Sequence, residues 1–551
     1  MLEILNVKPG DIFYNSIILI YGLSFGENSK NLECIDSHGK ANTWSILNNQ
    51  FKLFVKLYPG RNEIKLKTFQ SEVILILFRH LKPLNSKHVR IFYVVCNDDP
   101  NCGEFQSLDS SRNKIQNALK RIDLNIRLLQ TFMSEEIFKK YKTRKTFTLK
   151  CDLNECDENV EIFRSNLKLM KALEMSSDEI FLYLLDEIKK RNSNRECKYI
   201  AILSFTRYIP GQNEDIFKDT KGYCALASDC LAVYGTACLF TWPEELDELE
   251  SCCSDMRKVD SSQMNDSAFR NTYSDCYSTT LGSLLHEFSH LLDLGHDSEG
   301  IMHRGFDDLK LFFNIETTCN CYDEFENVKS NNEDIQKISI FKTQNENTHK
   351  SEIEFLVRKF CLFKTTGNNE LIYSQKSSCF QSIRTDHKSK ECNCMKNCFY
   401  TKSNLNILFY HKWLNDFCSK DEGSISFNCI NECQYEIKCT NDLVLYELRT
   451  NQRNLTFDSG YPGTTSLTSN FISIKQNNSN KKEYIFEINL NNLKQKLFLL
   501  FGNETRNGCN NLSKYKLNQL NNDCRTSQNF NIYLFLLDSK GCCLSKKIPI
   551  M

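Results

Sequence analysis

The sequence predicts a multidomain protein in which a central α+β domain is flanked by two all-β domains. Three observations indicate this arrangement. A chain of 551 residues is too long for one hydrophobic core. Short alternating apolar runs fill both ends of the chain, whereas strand-like and helix-like patterns alternate between them. We therefore expect domains at residues 1–87, 88–420 and 421–551.

The first 87 residues carry strand-like runs separated by turn residues, such as "SIILIYGLSF" and "EVILILFRH". Apolar and polar residues alternate in "FKLFVKL" and in "NEIKLKTF", with "PGRN" between them. This pattern is typical of a β-hairpin. An N-terminal β-sandwich of about 85 residues fits these runs best. The first strand of the next domain is expected near Val89 to Cys96.

The central region changes to helical spacing in "SSRNKIQNALKRIDLNIRLLQTFMSEEIFKKY", where Ser110 or Ser111 is available as the helix cap. A second helix, "SSDEIFLYLLDEIKKR", begins with a capping pattern and leads into the buried strand "CKYIAILSFTRY". The segment "GYCALASDCLAVYGTACLFTWPEEL" predicts paired strands.

Polar, cysteine-rich insertions are expected at about 314–403, after which "NLNILFYHKWLNDF" rejoins the central domain. Core packing is favoured for Tyr410 and His411, and an approach to the active site is the alternative. From 421 onward, runs such as "DLVLYELRT" and "FNIYLFLLD" alternate with Asn, Gly and Ser turns. They predict a C-terminal β-rich accessory domain.

The bulk composition limits the partners and the compartment. Lys plus Arg and Asp plus Glu both number 69, so nothing favours nucleic acid as a partner. No apolar run reaches the roughly 18 to 20 residues of a membrane span, and no signal peptide is recognised. The 27 scattered cysteines then indicate reduced thiols in a cytoplasmic protein, with the nucleus as the second choice. A secreted protein with oxidised cysteines is the alternative.

Four of the ten histidines lie in "LLHEFSHLLDLGHDSEGIMHRGFDDL". His286 and His290 stand four apart, which places both imidazoles on one face of a helix, within reach of one metal ion. A catalytic zinc needs a third protein ligand and one open position. His296 supplies this ligand if the helix breaks between Asp293 and Gly295, where glycine tolerates positive φ and aspartate is enriched.

Glu287 follows the predicted ligand His286 directly, but its spacing does not place it on the face that binds the metal ion. It is therefore placed to take the proton of a water activated by one catalytic zinc and to pass it to the leaving amine. These residues predict hydrolysis of peptide bonds. The alternative is a non-catalytic lectin-like or scaffold protein with a structural or vestigial zinc site, in which a general base has no use.

The carboxylates of Asp307 and Asp308 follow the histidine cluster closely. They could accept a hydrogen bond from a ligand imidazole, as zinc sites commonly require. A helix N-cap is the alternative role for these two residues.

The stretch "HEFSHLLDLGHD" resembles the extended zinc signature of the metzincin metallopeptidases, and "GIM" falls where their Met-turn lies. The resemblance implies a metzincin-like catalytic domain and a role for Met302 as the hydrophobic floor beneath zinc. Asp293 departs from the signature, which has glycine there, and we expect Gly295 to compensate.

Wider stretches, including "CLFTWPEEL", "GIMHRGFDDL" and "FYHKWL", resemble a family of eukaryotic zinc metallopeptidases typified by fungal proteins. This second resemblance spans roughly residues 1 to 420. It implies a zinc metalloendopeptidase that acts on a protein or peptide. Some members resemble jacalin-type lectins at the C-terminus, which makes carbohydrate a second candidate partner for the last domain.

Overall fold

A computed structural model describes most of the chain up to residue 315 and shorter stretches after residue 397. The described residues are 1–25, 29–84, 86–154, 159–192, 196–211, 216–228, 230–315, 398–415, 424–431, 434–450, 456–460, 466–468, 472–478, 481–489, 492, 532–540 and 543–548. Most of the cysteine-rich segment predicted at 314–403, and the boundary predicted near residue 420, lie outside this set.

The N-terminal region is all β, and its eight strands form one hydrogen-bonded sheet in the order β1-β3-β6-β5-β4-β7-β8-β2. The two-layer packing of a sandwich stays a prediction. The strands are β1 Leu2–Ile4, β2 Ile12–Phe13, β3 Ile17–Ser24, β4 Asn31–Ile35, β5 Ala41–Leu47, β6 Gln50–Lys56, β7 Gly60–Lys67 and β8 Glu72–Arg79.

The predicted hairpin between "FKLFVKL" and "NEIKLKTF" is wrong. Both segments are strands, but β6 pairs with β3 and β5, whereas β7 pairs with β4 and β8. Each strand therefore already has a neighbour on both sides. The tight hairpin forms one connection earlier, between β5 and β6. There Asn48 and Asn49 take φ values of 50° and 61°, as the favoured two-residue turns require.

The central region contains a five-stranded sheet in the order β10-β9-β11-β15-β14. All neighbours are parallel except β14, which runs antiparallel to β15 at one edge. The buried strand and the paired strands predicted here are confirmed, since every residue of β11 is buried. The strands are β9 His88–Cys96, β10 Val160–Ser165, β11 Cys197–Leu203, the short pair β12 Arg207–Tyr208 and β13 Thr220–Lys221, β14 Ala225–Ser228 and β15 Leu231–Gly235.

Helices pack around this sheet, and their caps match the sequence prediction in one case and not in the other. The Ser176 side chain caps the third helix reciprocally with Glu179, as predicted. The first helix begins later than expected, with Lys114 as N-cap and no side-chain bond, so the predicted serine caps at 110 and 111 are wrong. The α-helices described are α1 Ile115–Tyr141, α2 Leu169–Glu174, α3 Ser177–Arg191, α4 Leu249–Cys253, α5 Tyr273–His290, α6 Lys310–Phe313 and α7 Lys402–Tyr410.

The C-terminal region is β-rich and forms two antiparallel sheets, ordered β16-β17-β22-β21-β20 and β19-β18-β23-β24. Leu445, Phe535 and Leu537 of the second sheet join the same apolar core as α1, α5 and the N-terminal sheet. The strands are β16 Ile425–Cys429, β17 Gln434–Cys439, β18 Leu443–Thr450, β19 Thr456–Gly460, β20 Ser466–Thr468, β21 Ile472–Asn478, β22 Lys481–Ile488, β23 Ile532–Asp538 and β24 Cys543–Ile548.

The protein therefore mixes helices with several sheets, as the sequence indicated, and its domain boundaries stay predictions. Among the residues described, no helix combines the length and the apolar character needed to cross a bilayer.

Candidate metal centre

Helix α5 holds the first two histidines and Glu287 in a fixed position because most of its surface is buried. The Thr272 side chain caps the helix by accepting a hydrogen bond from the amide of Asp275. Leu284, Leu285 and Phe288 are each fully buried in the apolar core. The helix cannot rotate without exposing this face, so the side chains of its last turn project in a defined direction.

The three predicted histidines converge at the end of α5. The ligand nitrogens of His286, His290 and His296 all lie within 4.8 Å of one another. The Nε2 atoms of His286 and His296 are 3.1 Å apart. A tetrahedral zinc with bonds of about 2.0–2.1 Å separates two ligand nitrogens by about 3.3 Å, so this spacing fits one shared ion.

Main-chain carbonyls orient two of the imidazoles. The Nδ1–H of His286 donates to the carbonyl of Ile301, and that of His290 donates to the carbonyl of Leu294, each at 2.8 Å. These bonds leave Nε2 of both rings as the ligand atom. Burial, reinforced for His286 by the neighbouring histidines, lowers the pKa of both groups, so they remain neutral as a metal ligand must.

The carboxylates of Asp307 and Asp308 do not accept these two hydrogen bonds, so their predicted role stays a prediction for the imidazole of His296 alone. Asp308 pairs with Arg270 at 2.8 Å, and Asp307 pairs with Arg304 at 2.8 Å. Both acids lie in a short 3-10 helix, Gly305–Asp308, that packs against α5. They support the segment beneath the site, whereas Ile301 supplies the acceptor that orients His286.

The helix ends at His290, and Asp293 makes the turn that brings His296 back. Asp293 has a φ of 61°, the left-handed conformation that glycine adopts most easily, whereas Gly295 is not in that conformation. The expected compensation by Gly295 is therefore wrong. The Asp293 carboxylate pairs with the buried His411 imidazole at 3.1 Å, which helps to hold this conformation.

The segment predicted as a Met-turn, Gly300 to Met302, contacts the site through the Ile301 carbonyl and is held by the segment that follows the cysteine-rich region. Ile301 donates its amide to the carbonyl of Phe399 at 2.8 Å. Gly300 has a φ of 72°, and a Cβ there would meet the same carbonyl oxygen at 2.5 Å. Met302 is fully buried. Only glycine fits at position 300, because both its conformation and this close approach exclude a side chain.

Glu287 faces the edge of the five-stranded sheet. Burial raises the pKa of its carboxyl to about 8 in the metal-free chain. The carboxylate lies close enough to Tyr223 and Cys224, next to β14, to add to the burial that raises the pKa of both groups. Strand β14 itself packs against α5. Glu287 therefore lies on the helix that carries two of the histidines and near the residues that precede the edge strand β14.

Several residues that support the site were not predicted from the sequence. The Tyr400 hydroxyl bonds Ser289 at 2.7 Å in the core, and the Arg449 guanidinium donates to the Asp293 carbonyl at 2.8 Å. They stand 111 and 156 residues from their partners, and no local pattern links residues so far apart.

Comparisons with known proteins identify relatives of this chain. The chain is 22% identical over 323 residues to a protein of Schizosaccharomyces pombe named a putative zinc metalloproteinase. This alignment covers 55% of this chain and 52% of that protein. A Saccharomyces cerevisiae protein of the same description is 22% identical over 350 residues, covering 57% and 49%. The chain thus spans about half the length of the curated relatives it matches. Among solved structures, wild-type OgpA from Akkermansia muciniphila aligns over 85% of this chain and 94% of its own with 11% identity and a TM-score of 0.35.

A family model covers most of the described core. The model described as "Putative peptidase family" matches residues 1–390, which include the N-terminal sheet, the five-stranded sheet and all three histidines. A match over more than half of the chain shows membership, and the chain belongs to this peptidase family.

Proposed function

We propose that this protein is a zinc-dependent endopeptidase whose active site lies at the C-terminal end of α5. One observation carries the proposal. Three imidazoles converge within 4.8 Å of one another, and the Glu287 carboxylate stands on the helical turn that carries two of them. A purely structural zinc site gains nothing from such a carboxylate and usually has four protein ligands.

His286, His290 and His296 would hold the ion, since their spacing and the orientation of their Nδ1 atoms suit a single zinc. Zinc in such a site lowers the pKa of water and polarises the scissile carbonyl. Met302 lies next in sequence to Ile301, whose carbonyl orients His286. We assign Met302 to the apolar floor of the site, where a packed thioether limits movement of the imidazoles.

Glu287 acts as the general base. Its carboxylate lies beside the ligands and retains partial exposure, so water can reach it. Burial alone raises its pKa to about 8 in the metal-free chain, whereas a bound cation would favour the ionised form. Glu287 then accepts a proton from the attacking water and returns it to the amine that leaves.

Strand β14 is the element we assign to the substrate. It lies at the edge of its sheet, so one side of its backbone is unpaired within that sheet. An extended peptide can add to such an edge through main-chain hydrogen bonds. Because β14 packs against α5 near Glu287, a peptide bound there would pass the carboxylate.

The first test measures zinc content and peptide cleavage together. Wild type, Glu287→Gln and the double variant His286→Ala plus His290→Ala are purified as full chains and analysed for metals. Each is then incubated with a peptide library whose products are identified by mass spectrometry. We expect one zinc per chain in wild type and in Glu287→Gln, cleavage only in wild type, and zinc lost from the double variant.

Other outcomes separate the alternatives. Absence of zinc from all three proteins would refute the metal site. Equal cleavage by wild type and Glu287→Gln would refute the assigned base. Stoichiometric zinc with no cleavage of any peptide would favour the non-catalytic binding protein over the enzyme.

A further inference from the structure

The turn between the second and third histidines leaves main-chain carbonyls that α5 cannot satisfy. The amides of Leu291, Leu292, Asp293 and Leu294 all donate back to carbonyls of the last helical turn. Carbonyls beyond the end of a helix have no such partner and must be bonded from elsewhere. The Leu294 carbonyl is bonded by the His290 imidazole, and the carbonyls of Asp293 and His296 are bonded from more distant parts of the chain.

Both of these carbonyls are bonded by the C-terminal sheet. The Arg449 guanidinium, on β18, donates through Nη2 to the Asp293 carbonyl at 2.8 Å. The amide of Thr456, at the start of β19, donates to the His296 carbonyl at 2.8 Å. Residues Arg449 and Thr456 pair with each other across the two strands, and we call this pair of donors the brace.

Arg449 is itself fixed, which makes it suited to position another group. Its side chain is 7% exposed, and both Nε and Nη2 bond the Glu447 carboxylate, at 2.7 and 2.6 Å. The guanidinium also stacks on the Phe535 ring at 3.9 Å. The Thr456 and Ser403 hydroxyls donate to the same carboxylate, which links the brace to α7.

We propose that Arg449 is a positioning residue for the third histidine, and that the C-terminal sheet is therefore a required part of the metal centre. This inference rests on the proposed zinc site. Without the guanidinium, the Asp293 carbonyl loses a charge-assisted bond at the one residue of the turn with positive φ. The turn then samples other conformations, and His296 spends less time in the geometry that binds zinc.

The test compares Arg449→Met and Arg449→Lys with wild type in the full chain. Zinc affinity is measured by competition with a chelator, and hydrogen exchange of residues 290–297 is measured by mass spectrometry in the metal-free proteins. We expect Arg449→Met to weaken zinc binding about 10- to 100-fold, as loss of residues that orient ligands commonly does. We also expect faster exchange of the turn. Arg449→Lys keeps one hydrogen-bond donor, so we expect it to retain part of the zinc affinity and part of the protection of the turn against exchange.

Arg79 provides a matched control. It is 5% exposed, pairs with Asp152 at 3.0 Å and donates to the Cys151 carbonyl at 3.0 Å. Like Arg449, Arg79 joins a buried carboxylate and a main-chain carbonyl, but it does so in the N-terminal region. We expect Arg79→Met to lower the melting temperature and to leave zinc affinity and exchange of the turn unchanged.

The outcomes distinguish the inference from the proposed function. If wild type binds no zinc, the proposed function fails, and the exchange measurement still tests the brace. If wild type binds zinc and Arg449→Met binds it within two-fold as tightly with unchanged exchange, the inference fails and the zinc site stands. Equal losses of affinity in Arg79→Met and Arg449→Met would assign the effect to general instability and overturn the positioning role. If Arg449→Met fails to fold, Arg449→Lys decides the question. Zinc affinity and turn exchange both equal to those of wild type in Arg449→Lys would overturn the positioning role.

Discussion

Replacing Gly282 by alanine would test how closely α5 must approach the segment beneath the metal centre. An added Cβ would lie 2.0 Å from the carbonyl oxygen of Phe306 and 2.8 Å from its carbonyl carbon. Cβ atoms essentially never come within 3.0 Å of such atoms, so the helix and this segment would have to separate by about 1 Å. Both partners are backbone, and no side-chain rotation relieves the overlap.

Two opposing terms set the size of the effect. Alanine is favoured over glycine inside a helix by about 1 kcal/mol, whereas overpacking a core costs about 1–3 kcal/mol. Because the clash is with backbone, we take the upper end and expect Gly282→Ala to lose about 2 kcal/mol. With an unfolding entropy of about 2.1 cal/mol/K per residue over a domain of about 330 residues, that loss corresponds to a melting temperature lower by about 3 °C.

Thermal unfolding of wild type and Gly282→Ala, followed by circular dichroism, measures this shift. The separation would also stretch the 2.8 Å bond from His286 to Ile301, so zinc affinity should fall in parallel. A melting temperature equal to or above that of wild type would show that helix propensity dominates. The close packing of α5 on Phe306 would then be refuted.

Three further predictions concern buried polar contacts. Arg270→Met removes the partner that lies 2.8 Å from the buried Asp308 carboxylate. We expect urea denaturation to show a free energy of unfolding lower by about 3–5 kcal/mol, and a decrease below about 1 kcal/mol would contradict this expectation. Asp293→Gly should melt higher than Asp293→Ala, because glycine avoids the roughly 1–2 kcal/mol cost of a left-handed φ, and equal melting temperatures would argue against strain at this turn. Tyr277→Phe removes the hydroxyl that donates to the Asn125 side chain at 2.9 Å. We expect calorimetry to show a free energy of unfolding lower by about 1–3 kcal/mol, and an unchanged value would show that this hydrogen bond adds no net stability.

The features that could be predicted from the sequence are those set by neighbours along the chain. The four-residue spacing of His286 and His290 places both on one helical face, whatever surrounds the helix. The serine at 176 and Glu179 cap each other within one turn, so their pattern is visible locally. The β-rich runs at both ends were also recognisable, because alternation depends only on which face is buried.

The features that could not be predicted depend on contacts between distant segments. Alternation identified β6 and β7 as strands, but strand partners are chosen by packing across the whole sheet, and the predicted hairpin was wrong. The local pattern places the helix break between Asp293 and Gly295 and leaves open which of the two residues is left-handed. The chain uses Asp293, whose carboxylate gains a buried histidine 118 residues away. No pattern near Asp293 encodes that partner.

The brace on the third histidine has a consequence for how the protein is made. Arg449 leaves the ribosome 156 residues after the Asp293 carbonyl that it bonds. At about 5–20 residues per second, translation of that interval takes about 8–30 s. During this time the nascent chain already carries its histidines and its carboxylate, while the strands that fix the returning turn have not been synthesised. A growing chain thus exposes its chemical groups early, and their mature arrangement is reached only near the end of synthesis.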